Sequence, residues 1–304
     1  MNIAVMGAGA VGCYYGGLLA KAGHAVTLIG RAGHVESVRR DGLRLQTAAE
    51  DLHVPLAAST EPAAAGDADL VLCCVKTADT ASAASAMAGF LRPDAVIVSL
   101  QNGIENPELL RTALPHEIIP AAVYVATAMA GEGHVRHHGG GQLVIGKSPR
   151  SDAVAALFIA AGVPVEVSGN IDGVLWTKLI INCAYNALSA ITALPYGILV
   201  QQPGVEQILH DVVDECLAVA ARAGVVPVGD VREGVARIPR VMAEQTSSTA
   251  QDLQRGRKSE IDHLNGCIVR AGEKLGVPTP LNRLLHTLVK ALESRHGAGQ
   301  SNRL

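Results

Sequence analysis

The stretch GAGAVG at residues 7–12 constrains the fold most strongly, because it stands directly between an apolar run and a helical pattern. The run NIAVMG before it predicts a buried strand, and AVGCYYGGLLAKAGH after it has the period of a helix. A G-x-G-x-x-G pattern in this context is typical of the dinucleotide-binding turn of a βαβ unit. A glycine-rich turn without a ligand is the alternative reading.

Each glycine of the loop has an expected role. Gly7 allows the tight turn, Gly9 lets the backbone approach a pyrophosphate, and Gly12 lets helix and strand pack closely. The N-terminus of the following helix then faces the phosphate charge. The predicted cofactor-binding loop consists of Gly7, Ala8, Gly9, Ala10, Val11 and Gly12.

The first half of the chain alternates strands and helices. The runs AVTLIGR, ADLVLCCVK and DAVIVSL are each followed by a helical segment, and the runs IIPAAVYVATAM, GHVRHH and GQLVIG continue the strands. One more helix and a last strand end near residue 168. Alternating strands and helices predict a parallel sheet that is covered on both faces.

After about residue 170 the pattern becomes entirely helical, with glycine and proline between the segments. Helices are predicted at 171–193, 203–223, 230–244, 259–275 and 279–293. The predicted fold class is therefore α/β, an N-terminal Rossmann-type doubly wound sheet followed by an all-helical C-terminal domain. We expect an NADP-binding domain at 1–168 and a helical substrate and catalytic domain at 169–304.

Charge and composition exclude several classes of partner. The net charge is −3 with no long basic or acidic run, and aromatic residues make up 3%, which disfavours nucleic acid and anionic membranes. No uninterrupted apolar stretch reaches the ~18 residues of a spanning helix. Six scattered cysteines suit a reducing cytoplasm. We expect a cytoplasmic protein that acts on a small molecule. A homodimer is a further expectation, although no interface pattern stands out in the sequence.

The end of the second strand indicates which cofactor the loop binds. NAD sites usually carry an acid there, but this strand ends in Gly30 and Arg31. An arginine can hold a 2′-phosphate, and Lys76 at the end of LVLCCVK can add a second positive charge. NADPH is therefore predicted over NADH, with solvated surface positions as the alternative for both residues.

Asn102 follows the strand DAVIVSL in the stretch SLQNGIEN. Open α/β sheets bind their ligands at the carboxyl ends of the strands, so Asn102 could orient nicotinamide or substrate. An ordinary Asn-Gly turn is an equally good reading of the spacing.

The helical stretch WTKLIINCAYNALSAITAL carries three polar residues four positions apart, Lys178, Asn182 and Asn186. At about 100° per residue they lie within about 80° of one another, on an otherwise apolar helix. One lysine and two amides suit an enclosed polar cleft better than a solvent face, although an interdomain face satisfied by backbone and water would give the same pattern. A buried lysine has a lowered pKa and could protonate the oxygen of a ketone that receives a hydride.

A second group of polar residues follows in EQTSSTAQDLQRGRKSEIDHLNG. Ser248 and Gln251 have the spacing of a capping box, which is compatible with carboxylate binding at the same helix end. Glu260 opens the next predicted helix, either as a dipole partner or facing Lys178. His134, His137 and His138 lack ligands at metal spacing, so no metal site is predicted.

The chain resembles the ketopantoate reductase (2-dehydropantoate 2-reductase) family over nearly its whole length. The resemblance rests on GAGAVG, on GR after the second strand, on VK at 75–76 and on QNG at 101–103. The longer stretches LWTKLIINCAYNALSAI and SSTAQDLQRGRKSEIDHLNG are its most specific part.

This resemblance implies NADPH-dependent reduction of 2-dehydropantoate to pantoate, on the route to pantothenate and coenzyme A, in the cleft between two domains. Lys178 would be the proton donor, and Asn182, Asn186 and Ser248 would contact the substrate. Glu260 would lie at the cofactor and substrate end of the cleft, as a catalytic and cofactor-binding residue. The 2′-phosphate would be held by Arg31 and Lys76, and Asn102 would lie by the nicotinamide and the substrate.

Tyr196 departs from the family pattern, because it stands where the best-known members have a substrate-contacting asparagine. The identity of the 2-oxoacid is therefore open. A reductase of a different branched 2-oxoacid and a non-catalytic NADPH-binding module are the alternatives.

Overall fold

The structure is a computed structural model that describes residues 1–301, with side chains described through residue 295. The chain forms two compact units, Met1–Ile171 and Asp172–Leu304. The sequence pattern predicts the boundary a few residues earlier, after residue 168.

The first unit is built on a ten-stranded sheet. Its strands are β1 Asn2–Met6, β2 Ala25–Ile29, β3 Leu43–Gln46, β4 Asp51–Val54, β5 Ala57–Ser59, β6 Leu70–Cys73, β7 Val96–Ser99, β8 Glu117–Gly131, β9 His134–Gly146 and β10 Val165–Ser168. Its helices are α1 Ala10–Lys21, α2 Ala32–Asp41, α3 Thr80–Met87, α4 Asn106–Ala113 and α5 Ser151–Ala160.

Six of these strands form a parallel array in the order β8-β7-β6-β1-β2-β5. Beyond it, β9 runs antiparallel to β8 and pairs in parallel with β3 and β10, and β4 closes the edge antiparallel to β3. Residues of β1 alternate between two separate apolar clusters, Ile3 and Val5 in one and Ala4 and Met6 in the other. The parallel array is therefore buried on both faces, as the run of buried apolar residues predicts.

The short strands β3, β4 and β5 do not appear in the sequence prediction. They are only three or four residues long, and β3 and β4 carry charged residues; Arg44 of β3 pairs with Asp51 of β4 at 2.7 Å. Strands this short lack the apolar run on which the prediction depends. The predicted strands GHVRHH and GQLVIG are in fact one strand, β9, whose register shifts near Gly139 and Gly140.

Among its described residues, the second unit has helices and no strand. Its helices are α6 Ile171–Thr192, α7 Tyr196–Leu199, α8 Val205–Arg222, α9 Val231–Val241, α10 Ser248–Gln254, α11 Asn265–Leu275 and α12 Pro280–Ser301. The predicted fold class, a Rossmann-type sheet followed by helices, is confirmed. The helix predicted from residue 259 is wrong at its start, because Ile261–His263 is a separate 3-10 turn and α11 begins at Asn265.

A buried amide network holds α6 within the second unit. The Nδ2 of Asn265 donates to the Cys183 carbonyl of α6 and to Oδ1 of Asn282, both at 3.0 Å. Asn282 in turn donates through Nδ2 to the Glu215 carboxylate at 2.8 Å. Both asparagines are fully buried, so these bonds tie α6, α8, α11 and α12 together at a defined place.

One helix within the described residues, α6, is long and apolar enough to cross a membrane by length and composition. In its most apolar window 67% of the residues are buried inside the protein. Such burial is what a core helix requires, so the test gives only weak evidence for a membrane span.

Candidate active site

The glycine loop follows β1 and opens α1, and its three glycines meet different surroundings. Gly7 has φ +104°, and a Cβ there would lie 2.6 Å from the Val75 nitrogen. A Cβ on Gly12 would lie 2.3 Å from the Gly7 oxygen, and one on Gly9 would meet no described atom within 4 Å. Internal packing therefore requires glycine at positions 7 and 12, whereas Gly9 leaves open space outside the loop.

The first turn of α1 directs backbone N–H groups toward that space. Gly9 is the N-cap residue, and no described side chain caps the helix. The backbone of the preceding loop is fixed, because the nitrogens of Gly7 and Ala8 both donate to the Ile29 carbonyl at 3.1 and 3.0 Å. Uncapped N–H groups at a helix N-terminus favour an anion, so the turn from Gly9 to Val11 can bind a phosphate.

Arg31 lies next to this loop, at the carboxyl end of β2. It is the N-cap residue of α2 and is exposed. A Cβ on the preceding Gly30 would lie 2.7 Å from the Ala8 Cβ, so β2 approaches the glycine loop closely. The arginine can therefore reach a ligand group that extends from the loop toward α2.

Glu132 is an acid at the same place, and no sequence pattern predicted it there. Its carboxylate carbon lies 3.6 Å from where a Cβ on Gly33 would be, against the first turn of α2. Oε2 is also 3.9 Å from Nδ1 of the buried His34. Because Glu132 comes from the turn between β8 and β9, no local pattern connects it with Arg31, and its charge would oppose binding of an anion there.

Lys76 and Asn102 stand at the carboxyl ends of β6 and β7, and buried hydrogen bonds join their two segments. The Nδ2 of Asn106 donates to the Asn102 carbonyl at 2.7 Å and to Oγ1 of Thr77 at 3.1 Å. Thr80 donates to Oδ1 of Asn106 at 2.8 Å. The backbone positions of both predicted cofactor residues are therefore linked through one buried asparagine.

Gln101 extends this network to the glycine loop. Its Nε2 donates to the Val75 carbonyl at 2.9 Å and to Oγ1 of Thr80 at 2.7 Å, and Ser99 donates to its Oε1 at 3.0 Å. Val75 is also the residue that packs against Gly7. The sequence pattern singled out Asn102 of the QNG stretch and not Gln101, although a glutamine directly after an apolar strand was an available signal.

In the second unit, α6 carries all three predicted polar residues on one helix. Asn186 is buried, while Lys178 and Asn182 are half-buried. The Nδ2 of Asn186 donates to Oγ of Ser248 at 3.5 Å. The structure thus brings Ser248 to the end of the stripe that the helical spacing predicts.

Two opposing effects act on the pKa of Lys178. Burial lowers its pKa from 10.5 to about 8, and the Glu260 carboxylate raises it, which offsets part of the effect. An ammonium with this pKa is still mostly protonated at neutral pH and releases its proton more readily than an exposed lysine. The carboxylate of Glu260 therefore acts on the pKa of Lys178. The sequence had left open whether Glu260 faces Lys178 or serves only as a helix-dipole partner.

The capping box predicted for Ser248 is wrong by one residue. The N-cap of α10 is Ser247, whose hydroxyl oxygen accepts from the Ala250 nitrogen at 3.0 Å. Ser247 also donates to the Asn186 carbonyl at 3.0 Å. This contact with α6 fixes the cap one residue earlier in the chain than predicted. Ser248 is exposed at the first helical position, so its hydroxyl is not used as the helix cap.

Tyr196 begins α7 and packs into the second unit. Its ring lies edge-on to Tyr185 with centroids 5.2 Å apart, and Tyr185 donates to the Val235 carbonyl at 2.9 Å. The Tyr196 nitrogen donates to the Gln245 carbonyl at 3.0 Å, in the segment that leads to Ser247. Both rings are buried, and by helical spacing Tyr185 is on the same face of α6 as the polar stripe.

The histidines of β9 make other contacts. The Nε2 of His134 lies 3.0 Å from Oε1 of Gln46, and His137 stacks on Tyr14 with centroids 4.6 Å apart. Across the described residues, no group of three His, Cys, Asp or Glu side chains could hold a metal ion.

A glycine loop at the switch from β1 to α1, in a sheet covered on both faces, is typical of dinucleotide-dependent oxidoreductases. A lysine of lowered pKa in a separate helical unit is consistent with that class. The chain belongs to the ketopantoate reductase PanE/ApbA family, whose model matches residues 3–150 and whose C-terminal model matches residues 170–293.

Relatives and solved structures resemble the chain over nearly its full length. A 2-dehydropantoate 2-reductase from Halobacterium salinarum is 34% identical, covering 98% of this chain and 100% of the relative. A PanE/ApbA family ketopantoate reductase from Ralstonia eutropha superposes with a TM-score of 0.95 at 57% identity, over 98% of this chain and 100% of that one. D-mandelate dehydrogenase in complex with NADH and anilino(oxo)acetate has a TM-score of 0.91 at 26% identity, with the same coverage. The family assignment and the fold therefore agree.

Proposed function

We propose that the chain catalyses the NADPH-dependent reduction of 2-dehydropantoate to pantoate, in the cytoplasm, on the route to pantothenate and coenzyme A. The relatives named 2-dehydropantoate 2-reductase support the substrate class. The observation that carries the proposal is Lys178, a half-buried lysine with a pKa of about 8 on the helix face that also presents Asn182 and Asn186.

The first unit supports the cofactor half of the proposal. The open space outside Gly9 and the uncapped first turn of α1 fit a pyrophosphate. Arg31 and Lys76 are both exposed cations and would hold the 2′-phosphate, while Asn102 would orient the nicotinamide or the substrate. When bound, NADPH supplies the hydride that adds to the carbonyl carbon of the 2-oxoacid.

The second unit supports the proton half. As the carbonyl carbon gains the hydride, negative charge develops on its oxygen, and the Lys178 ammonium would stabilise that charge and then transfer its proton to the oxygen. The amides of Asn182 and Asn186 and the hydroxyl of Ser248 would hold the substrate. Glu260 keeps the pKa of Lys178 from falling further, so that the ammonium form persists at neutral pH.

The test is to follow NADPH absorbance with 2-dehydropantoate and a panel of branched 2-oxoacids. The proposal predicts turnover with 2-dehydropantoate as the preferred substrate. Tight NADPH binding without turnover of any 2-oxoacid would support a non-catalytic NADPH-binding module instead.

Tyr196 favours a second candidate, a reductase of a different 2-oxoacid. The edge-on pair of Tyr196 and Tyr185 is buried, so an aromatic ring stands where the family pattern has an amide. The structural neighbour D-mandelate dehydrogenase is named for an aryl hydroxy acid, which supports including an aryl 2-oxoacid in the panel. A kcat/KM for that compound above the value for 2-dehydropantoate would favour this candidate.

A further inference from the structure

Glu260 lies in a short segment whose two ends are both attached to α12. On one side, the nitrogen and the hydroxyl of Ser259 each donate to Oε1 of Glu293 at 2.7 Å. The same hydroxyl oxygen accepts from the Ile261 nitrogen at 3.2 Å. The residue directly before Glu260 is thus held by three hydrogen bonds.

On the other side of Glu260, Asp262 is held by two side chains of α12, His286 and Lys290. The Nε2 of His286 lies 2.6 Å from Oδ1 of Asp262, and Nζ of Lys290 donates to Oδ2 at 2.8 Å. Arg270 of α11 donates to the Asp262 carbonyl at 2.7 Å. Burial raises the pKa of Asp262, but the hydrogen bonds from Lys290 and His286 outweigh it and leave the pKa below its usual value.

Lys290 connects the two attachment points, since its Nζ also lies 2.9 Å from Oε2 of Glu293. His286, Lys290 and Glu293 are spaced four and three residues apart, which places them on one face of α12. The Glu293 side chain is only 9% exposed, so this network is screened less than an ordinary surface ion pair. Several buried or half-buried polar contacts therefore hold a segment of only four residues.

We propose that Glu293, Lys290 and Asp262 are positioning residues, which fix the segment 259–262 and thereby hold the Glu260 carboxylate at a constant place relative to the Lys178 ammonium. The inference rests on the proposed function for the meaning of Lys178, but its geometry lies entirely within the second unit. A network that served stability alone would not influence the acidity of Lys178. The two roles are therefore separable by measuring that acidity.

The experiment uses the full chain and measures how readily the Lys178 amine reacts with acetic anhydride as a function of pH, with the modified peptide quantified by mass spectrometry. Only the neutral amine reacts, so the midpoint of labelling reports the pKa of Lys178 without requiring turnover. Glu260→Gln removes the carboxylate that raises this pKa and sets the full size of the effect. Glu293→Ala releases the segment while leaving Glu260 in place.

We expect Glu260→Gln to lower the midpoint by roughly 0.5 to 1 pH unit, and Glu293→Ala to lower it by a fraction of that amount. Glu293→Gln keeps one acceptor oxygen for Ser259 and should restore part of the difference. The matched control is Glu273→Ala, which removes an ion pair between α11 and Arg283 of α12 and should leave the midpoint unchanged. If Glu293→Ala does not fold, Lys290→Met breaks the contacts to Asp262 and Glu293 and carries the same expectation.

A midpoint that stays at the wild-type value in Glu293→Ala or its substitute, while Glu260→Gln lowers it, would overturn the positioning role. A Glu260→Gln midpoint equal to wild type would overturn it as well, because Glu260 would then have no influence to position. The failure of the proposed function looks different. Labelling midpoints would shift as expected, but no 2-oxoacid would be reduced.

Discussion

The glycine loop permits a prediction that separates ligand binding from folding. Gly9→Ala and Gly12→Ala each add one methyl group, three residues apart, but the two methyl groups meet opposite surroundings. At Gly9 the backbone has φ −86° and ψ −170°, which alanine adopts freely, and no described atom lies within 4 Å of the added Cβ. At Gly12 the added Cβ would overlap the Gly7 backbone oxygen at 2.3 Å.

The expected magnitudes follow from these distances. Gly9→Ala should change the free energy of unfolding by less than about 1 kcal/mol, the usual size of an N-cap substitution. Gly12→Ala forces a backbone shift and should cost about 3 kcal/mol, the upper end for overpacking. Since 1 kcal/mol corresponds to about 2–4 °C in a unit of this size, Tm should fall by about 6–12 °C.

The assay combines thermal unfolding without cofactor and NADPH titration by fluorescence. Gly9→Ala should keep the wild-type Tm and lose at least about tenfold in NADPH affinity, about 1.4 kcal/mol, because the methyl group occupies the space proposed for the pyrophosphate. The control is Gly89→Ala, another position where a Cβ meets no described atom, and both properties should remain unchanged there. Wild-type NADPH affinity in Gly9→Ala would refute the placement of the phosphates at this loop.

The remaining predictions concern charge and positioning. With a pKa of about 8 for Lys178, kcat for reduction should fall as pH rises through about 8, because the ammonium is the acid and only about one tenth of it remains at pH 9. A kcat that stays constant up to pH 10 would exclude this lysine as the acid. Arg31→Ala should weaken the binding of NADPH more than that of NADH, and Glu132→Gln should strengthen the binding of NADPH by roughly threefold, both measured as Kd. Equal effects on the two cofactors would contradict the proposed 2′-phosphate site. Asn106→Ala should raise KM for NADPH by more than its loss of stability explains. A lower Tm with an unchanged KM would make Asn106 purely structural.

Local patterns were sufficient for the parts of the fold and site that a few neighbouring residues determine. The glycine loop needs only a strand, a turn and a helix in sequence, and the polar stripe needs only the period of α6. The class of the fold followed from the alternation of apolar runs, and the structure confirms it. Where a residue's role depends on its own helix or strand, the sequence contains the necessary information.

Other features depend on contacts between distant segments, and these the sequence analysis missed. The contact of Ser247 with Asn186 sets where α10 begins, so the predicted cap at Ser248 was one residue late. Glu132 approaches α2 only because β8 and β9 pair as a hairpin, and Glu293 reaches Ser259 from 34 residues away. No spacing rule within one element could have found these residues.

The most direct test of the central claim is kcat of Lys178→Ala relative to wild type, with NADPH and 2-dehydropantoate at saturation. Loss of the general acid should lower kcat by about 10²–10⁴-fold while the Kd for NADPH stays near the wild-type value. A kcat close to that of the wild type would show that another group supplies the proton, and would contradict the account given for α6.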